Sequence, residues 1–179
     1  MKNDEFYKLV LELAREEHYE SALIIGAFPG NGSTEAFITG AKQNEQNPKV
    51  YCLNIANYKG HILKKIAKPE NFINWHELST SKNENTQQIV DNVMNDILKS
   101  TPLDSFDVVL IVNQSVNDEL SDNSILLTQL SMANLILLDG VNNPNINNIK
   151  NILLQDSGYM LESVNSILRN GYAILRKRQ

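Results

Sequence analysis

The chain has 179 residues, a single cysteine, 42% hydrophobic and 21% charged residues, and a formal net charge of −5. Those values fit one globular domain with a full core. The acidic balance argues against a nucleic-acid surface, because Arg176-Lys177-Arg178 is too short a basic run to bind phosphates. A lone Cys52 excludes an internal disulfide, no apolar run approaches the roughly 20 residues of a membrane helix, and Met1 to Glu5 hold no apolar signal core. The expectation is a cytoplasmic protein that binds neither membrane nor nucleic acid.

In chain order, Phe6, Leu9, Val10, Leu13 and Ala14 recur at helical spacing and predict an amphipathic helix over 4–18. Read as exposed, that helix offers a face for a homodimer. Ser21 to Ile25 reads as a strand, followed by Gly26-Ala27-Phe28-Pro29-Gly30-Asn31-Gly32-Ser33-Thr34 and then a helix to about Lys42. An apolar strand, a glycine-rich turn and a helix start form the first βα turn of a nucleotide-binding sheet. The glycines let backbone approach a ligand closely, and the helix start presents N–H groups to it. Ser33 or Thr34 serves as the helix cap in the structural reading of the same turn.

Val50 to Ile55 is a second strand, and Ile62, Leu63 and Ile66 mark a short helix that stops before Pro69. Phe72 to Leu78 reads as strand three and 81–99 as a helix with Ile89, Val93 and Ile97 on one face. Phe106 to Val112 is an apolar fourth strand of the kind buried on both faces of a parallel sheet. Next come a helix from about Asp118 to Ser131, a fifth strand from Asn134 to Asp139 and a helix through Ile146, Ile149 and Leu153. Tyr159 to Ile167 and Tyr172 to Lys177 are β-rich runs joined through Arg169-Asn170-Gly171, a hairpin signal. Alternating strands and helices imply an α/β three-layer sandwich around a mostly parallel Rossmann-like sheet, with an antiparallel hairpin at the end. No linker or internal repeat divides it, so 1–179 reads as one domain, the first helix preceding a sheet core over 20–178.

This order, with Gly26, Gly30-Asn31-Gly32-Ser33-Thr34, Asn134 to Gly140 and Leu168 to Lys177, resembles the class I S-adenosylmethionine-dependent methyltransferases. Within them it looks most like the small methyltransferase-24 and cephalosporin-hydroxylase-like proteins. The resemblance covers residues 20–178 and implies a seven-stranded sheet and S-adenosylmethionine as cofactor. It places Gly26, Phe28, Gly30, Asn31 and Gly32 around the cofactor, Asn54 at the ribose, Ser79 near adenine and Asn113 near the methyl donor. Glu77 and Leu78 are neighbours of the adenine position.

Three positions depart from the family pattern. Ile24, Asn54 and Asn113 stand where acidic residues are usual. An amide still binds a ribose hydroxyl but loses about 1 kcal/mol per charge-assisted contact, so affinity is expected to fall by roughly one to three orders of magnitude.

Other chemistries fit less well. Gly26, Gly30 and Gly32 meet the spacing of short-chain dehydrogenases, but none of the six tyrosines has a lysine four residues on. Gly32-Ser33-Thr34 lacks the lysine of a phosphate-binding loop. Asp139, at the carboxyl end of its strand, and His61 are the candidate general bases. Asp139 also has a structural reading, as a cap on the turn before Pro144. No metal is expected: Asn142 and Asn143 could add carbonyls to Asp139, but Asn113 replaces the aspartate that would share an ion. His76 and His18 read as structural, His18 as a cation near a helix C-terminus, and Cys52 as a buried strand thiol. The expected function is methyl transfer to a small molecule or sugar. The alternative is a catalytically inactive methyltransferase fold kept as a binding or interaction protein.

Overall fold

The structure is a computed structural model that describes residues 4–27, 32–56, 71–79, 86–100, 105–112, 124–156 and 158–178. Helix α1 spans Glu5–Glu16 and is opened by Asp4, whose carboxylate accepts the Tyr7 N–H at 2.8 Å. It stops two residues before the expected end. Glu17 is extended, and the free carbonyls of the last turn are taken by side chains. The Tyr19 hydroxyl donates to Ala14 O at 2.9 Å, and Asn44 Nδ2 donates to Ala14 O and Glu17 O at 3.1 and 2.9 Å.

Strand β1 is Ser21–Ile25, α2 Gly32–Ala41, β2 Lys49–Ala56, β3 Ile73–Ser79 and α3 Thr86–Ser100. Then come β4 Val108–Val112, α4 Ser124–Met132, β5 Leu135–Asp139, α5 Pro144–Asp156, β6 Tyr159–Asn165 and β7 Tyr172–Lys177. The seven strands form one sheet in the order β3-β2-β1-β4-β5-β7-β6. The first five are parallel, and β7 runs antiparallel between β5 and β6.

Alternate side chains of each central strand enter opposite cores, as the period of two requires. Leu23 and Ile25 of β1 join the α3–α4–α5 side, with Met94, Leu130 and Ile149. Ala22 and Ile24 join the α1–α2 side, with Val10 and Phe37. The expected three-layer arrangement is therefore present. Ile24 is fully buried packing, not crevice lining.

Helix α1 is not exposed all round: one face packs into the core. Phe6, Val10 and Ala14 are buried, Phe6 stacks on Tyr172 of β7 at 4.5 Å, and the helix lies close against α2. The approach is set by Gly40. A Cβ there would fall 2.3 Å from Leu11 O and 2.8 Å from the Ala14 Cβ.

Two strand boundaries differ from expectation by two residues, the others by at most one. Strand β4 starts at Val108 rather than Phe106, because Asp107 turns its carboxylate onto the Glu20 and Ser21 N–H groups at 2.9 and 3.1 Å. Strand β6 ends at Asn165 rather than Ile167. The Asn165 side chain accepts the Ile167 and Leu168 N–H groups at 2.9 and 3.0 Å and turns the chain into one 3-10 turn, Leu168–Asn170. The link to β7 is thus longer than a two-residue Asn-Gly hairpin, although Asn170 and Gly171 do take the positive φ values of 67° and 82°. The short helix expected around Ile62 to Ile66 lies outside the described residues, as do the starts of the helices expected from 81 and 118.

Candidate functional site

The strand order reverses between β1 and β4. The chain lays down β1, β2 and β3 outward, then returns to the other side of β1. Beyond the carboxyl ends of such strands the connections diverge and leave a crevice, which is where open α/β sheets bind ligands. Strand β1 leaves the sheet through Gly26, whose φ of 75° suits glycine. The Gly26 and Ala27 N–H groups both donate to Leu53 O of β2, at 2.9 and 3.0 Å. These two donors are spent within the sheet, so any backbone donors to a ligand must come from further along the turn.

Helix α2 then starts at Gly32. Its second residue, Ser33, is fully buried, and its hydroxyl donates to the Asp139 carboxylate across 106 residues of sequence. Ser33 therefore ties α2 to β5, a bond that its reading as a helix cap did not foresee. Asp139 is 7% exposed. It is the last residue of β5 and the register partner of Val112, the last residue of β4. The turn beyond it is pinned: the Gly140 and Val141 N–H groups donate to Gly171 O at 2.6 and 3.1 Å, and Asn142 N donates to Asn170 O at 2.9 Å. Asp139 accordingly reaches across to the start of α2. The turn before Pro144 is capped by Asn143, whose Oδ1 accepts the Asn145 N–H at 2.9 Å.

Asn54 lies in β2 opposite Glu77 of β3, and Ser79 ends β3 opposite Ala56, so both sit toward the carboxyl edge on the β3 side of the crevice. Gly26 and Gly32 stand at its centre. Phe28, Gly30, Asn31, His61 and Asn113 lie outside the described residues.

Among the described residues no group of three His, Cys, Asp or Glu side chains is arranged to hold a metal ion. Asn142 Nδ2 donates to Ser166 O at 2.8 Å, so this amide too has a structural task. His76 stacks on Tyr51 at 6.4 Å, and burial lowers its pKa against the opposing pull of Asp96. Cys52 is fully buried and its thiol is pushed up by desolvation, as a structural cysteine should be.

Elsewhere, a polar cleft of about 300 Å³ lies between the end of α1 (Arg15 to His18) and the α2–β2 connection (Gln43 to Gln46), at the opposite edge of the sheet. His18 stands there, beyond the end of α1. The C-terminal basic trio is largely consumed by the fold. Arg176 binds Glu17 and Glu162 at 2.6 and 2.5 Å, and Lys177 Nζ donates to Ser131 O at 3.0 Å at the end of α4.

No protein-family model matches the chain, and no curated protein matches it in sequence. Solved structures do match. A Klebsiella pneumoniae protein taken to be an O-methyltransferase superimposes with a TM-score of 0.60 at 11% identity, over 97% of this chain and 79% of its own. The precorrin-6y C5,15-methyltransferase of Geobacter metallireducens gives 0.53 at 18% identity, over 98% and 91% of the two chains. The mycinamycin-pathway methyltransferase MycE, in complex with magnesium, S-adenosylhomocysteine and mycinamycin VI, gives 0.52 at 12% identity. The match takes in 97% of this chain and only 48% of MycE.

The fold is that of the class I S-adenosylmethionine-dependent methyltransferases. The glycine turn, the strand order and the antiparallel β7 are its frame. Among the described residues the Ser33–Asp139 bond is a feature of the crevice that sequence reasoning missed, since each residue was read only against its own neighbours.

Proposed function

We propose that the protein binds S-adenosylmethionine in the β1–β4 crevice and transfers its methyl group to a small molecule or sugar in the cytoplasm. The observation that carries this reading is the glycine turn at the switch point of a sheet with the methyltransferase strand order. It is supported by MycE, a protein of like fold that holds S-adenosylhomocysteine. The donor set suits such a ligand. A positive-φ glycine leaves room beside the backbone, and the polar residues Asn54 and Ser79 occupy register positions toward the carboxyl ends of β2 and β3.

In this reading Gly26, Phe28, Gly30, Asn31 and Gly32 line the cofactor, Asn54 meets the ribose, Ser79 lies near adenine and Asn113 near the methyl donor. The bound cofactor supplies an electrophilic methyl group. The chain's part is to hold acceptor and donor in line and to exclude water, which can contribute much of the acceleration. For a hydroxyl acceptor His61 is the proposed proton acceptor, because Asp139 is already engaged by Ser33.

Calorimetric titration with S-adenosylmethionine and S-adenosylhomocysteine tests the reading. Dissociation constants of about 10–100 μM are expected, weakened by the amide at Asn54. Asn54→Asp should tighten both ligands by about fivefold, the equivalent of roughly 1 kcal/mol. No heat of binding near millimolar ligand would overturn the proposal and leave the fold as a binding or interaction module.

A further inference from the structure

We propose that Asp139, held by Ser33, sets the charge preference of the crevice: it favours a ligand that is cationic at its reacting centre and disfavours one that carries phosphate there. The inference rests on the proposed S-adenosylmethionine site. In dinucleotide-binding sheets the start of the helix after β1 receives a pyrophosphate. Here the first turn of α2 meets an acidic side chain of the protein itself, through Ser33 Oγ donating to Asp139 Oδ2.

The position is fixed from three sides. Asp139 ends β5 in register with Val112 of β4, the turn after it is pinned to Gly171, and its carboxylate is tied to α2. Asp139 is 7% exposed and Ser33 is fully buried, so little water screens the pair. A carboxylate held in this way is a preorganised field and does not reorganise when a ligand enters. A phosphate brought to this helix start meets like charge. A sulfonium brought past the end of β4 meets opposite charge, whereas the neutral thioether left after methyl transfer does not. The arrangement therefore favours the charged methyl donor over the demethylated product and eases product release.

The experiment titrates the full chain, as wild type, Asp139→Asn and Ser33→Ala, with S-adenosylmethionine, S-adenosylhomocysteine and adenosine diphosphate as the anionic probe. The wild type is expected to bind S-adenosylmethionine roughly tenfold more tightly than S-adenosylhomocysteine, the scale of one charge interaction in a partly screened site. Adenosine diphosphate should bind most weakly. Asp139→Asn should remove most of the tenfold preference while changing S-adenosylhomocysteine affinity little, and Ser33→Ala should remove part of it. A merely structural bond would shift all three ligands together. An unchanged ratio in Asp139→Asn overturns the inference alone. If that variant does not fold, the wild-type values still decide, because equal affinity for the two sulfur ligands, or tight binding of adenosine diphosphate, overturns it as well. A wild type that binds neither sulfur ligand overturns both this inference and the proposed function.

Discussion

Tyr159 shows how one side chain joins local chemistry to the core. It is fully buried, and its hydroxyl donates to Leu130 O at 2.6 Å and to Ala133 O, which closes the end of α4. Burial pushes its pKa from 10.0 up to about 12. The unfolded chain loses this proton at lower pH than the folded one, so the contribution to stability is full below about pH 10 and drains away as pH rises to about 12. Tyr159→Phe should cost about 1–2 kcal/mol at pH 8, through the lost bond to those carbonyls, and should flatten part of the alkaline decline. Urea midpoints measured at pH 8 and pH 11 check both effects, and an undiminished decline in the variant would assign it to Tyr19, Tyr51 and Tyr172, which burial also raises. At this scale the sequence was legible where a residue's task is local, as with Cys52, whose apolar flanks announce burial. Ser33 and Asp139 were opaque, because a bond across the sheet edge leaves no periodic or nearest-neighbour signal in the chain.

Elements were legible in proportion to how far their own residues decide them. Strand β1 has the boundaries its apolar run predicts, and the parallel core follows from alternation. Errors fall where a contact distant in sequence intervenes, such as Asp107 with the Glu20 N–H at the entry of β4 or Asn44 with Ala14 O at the end of α1. The α1–α2 contact could not be read from α1 alone, since its key is an absent side chain on α2. Glycine inside a helix ordinarily makes alanine the stabilising choice by about 1 kcal/mol. At Gly40 the sign should reverse. The added methyl would strike Leu11 O, a backbone atom that cannot rotate away, so Gly40→Ala should destabilise by about 1–3 kcal/mol. Thermal melts of the variant would show it, and an unchanged or raised midpoint would mean that α1 shifts to relieve the clash at no net cost. Exposed Met160, Leu161 and Val164 lie on β6, the outer strand of the sheet among the described residues.

Across the whole molecule the seven strands form one sheet, and Cys52 in β2 is placed to report on its opening. The thiol sits in β2 between β1 and β3, with no exposure and a raised pKa. A thiol reagent should modify it at least about a thousandfold more slowly than free cysteine at pH 8, with the rate rising in step with urea unfolding. Modification at the rate of an exposed thiol would be incompatible with this placement. The mostly parallel sheet with its closing antiparallel pair was legible because alternation and the last hairpin leave few sheets to choose from, whereas the order of the strands is given only by the structure. The connections around the crevice carry no such constraint. The bond between Ser33 and Asp139 also bears on how the protein comes into being. It joins the start of the second helix to a strand end 106 residues later, on the far side of the reversal in strand order. A nascent chain that has built only β1, β2 and β3 holds the glycine turn but not the carboxylate that anchors it. The anchored start of α2 is thus complete only late in synthesis, when β5 docks. Contacts of such long range form slowly, because the chain must close a large loop before they reward it.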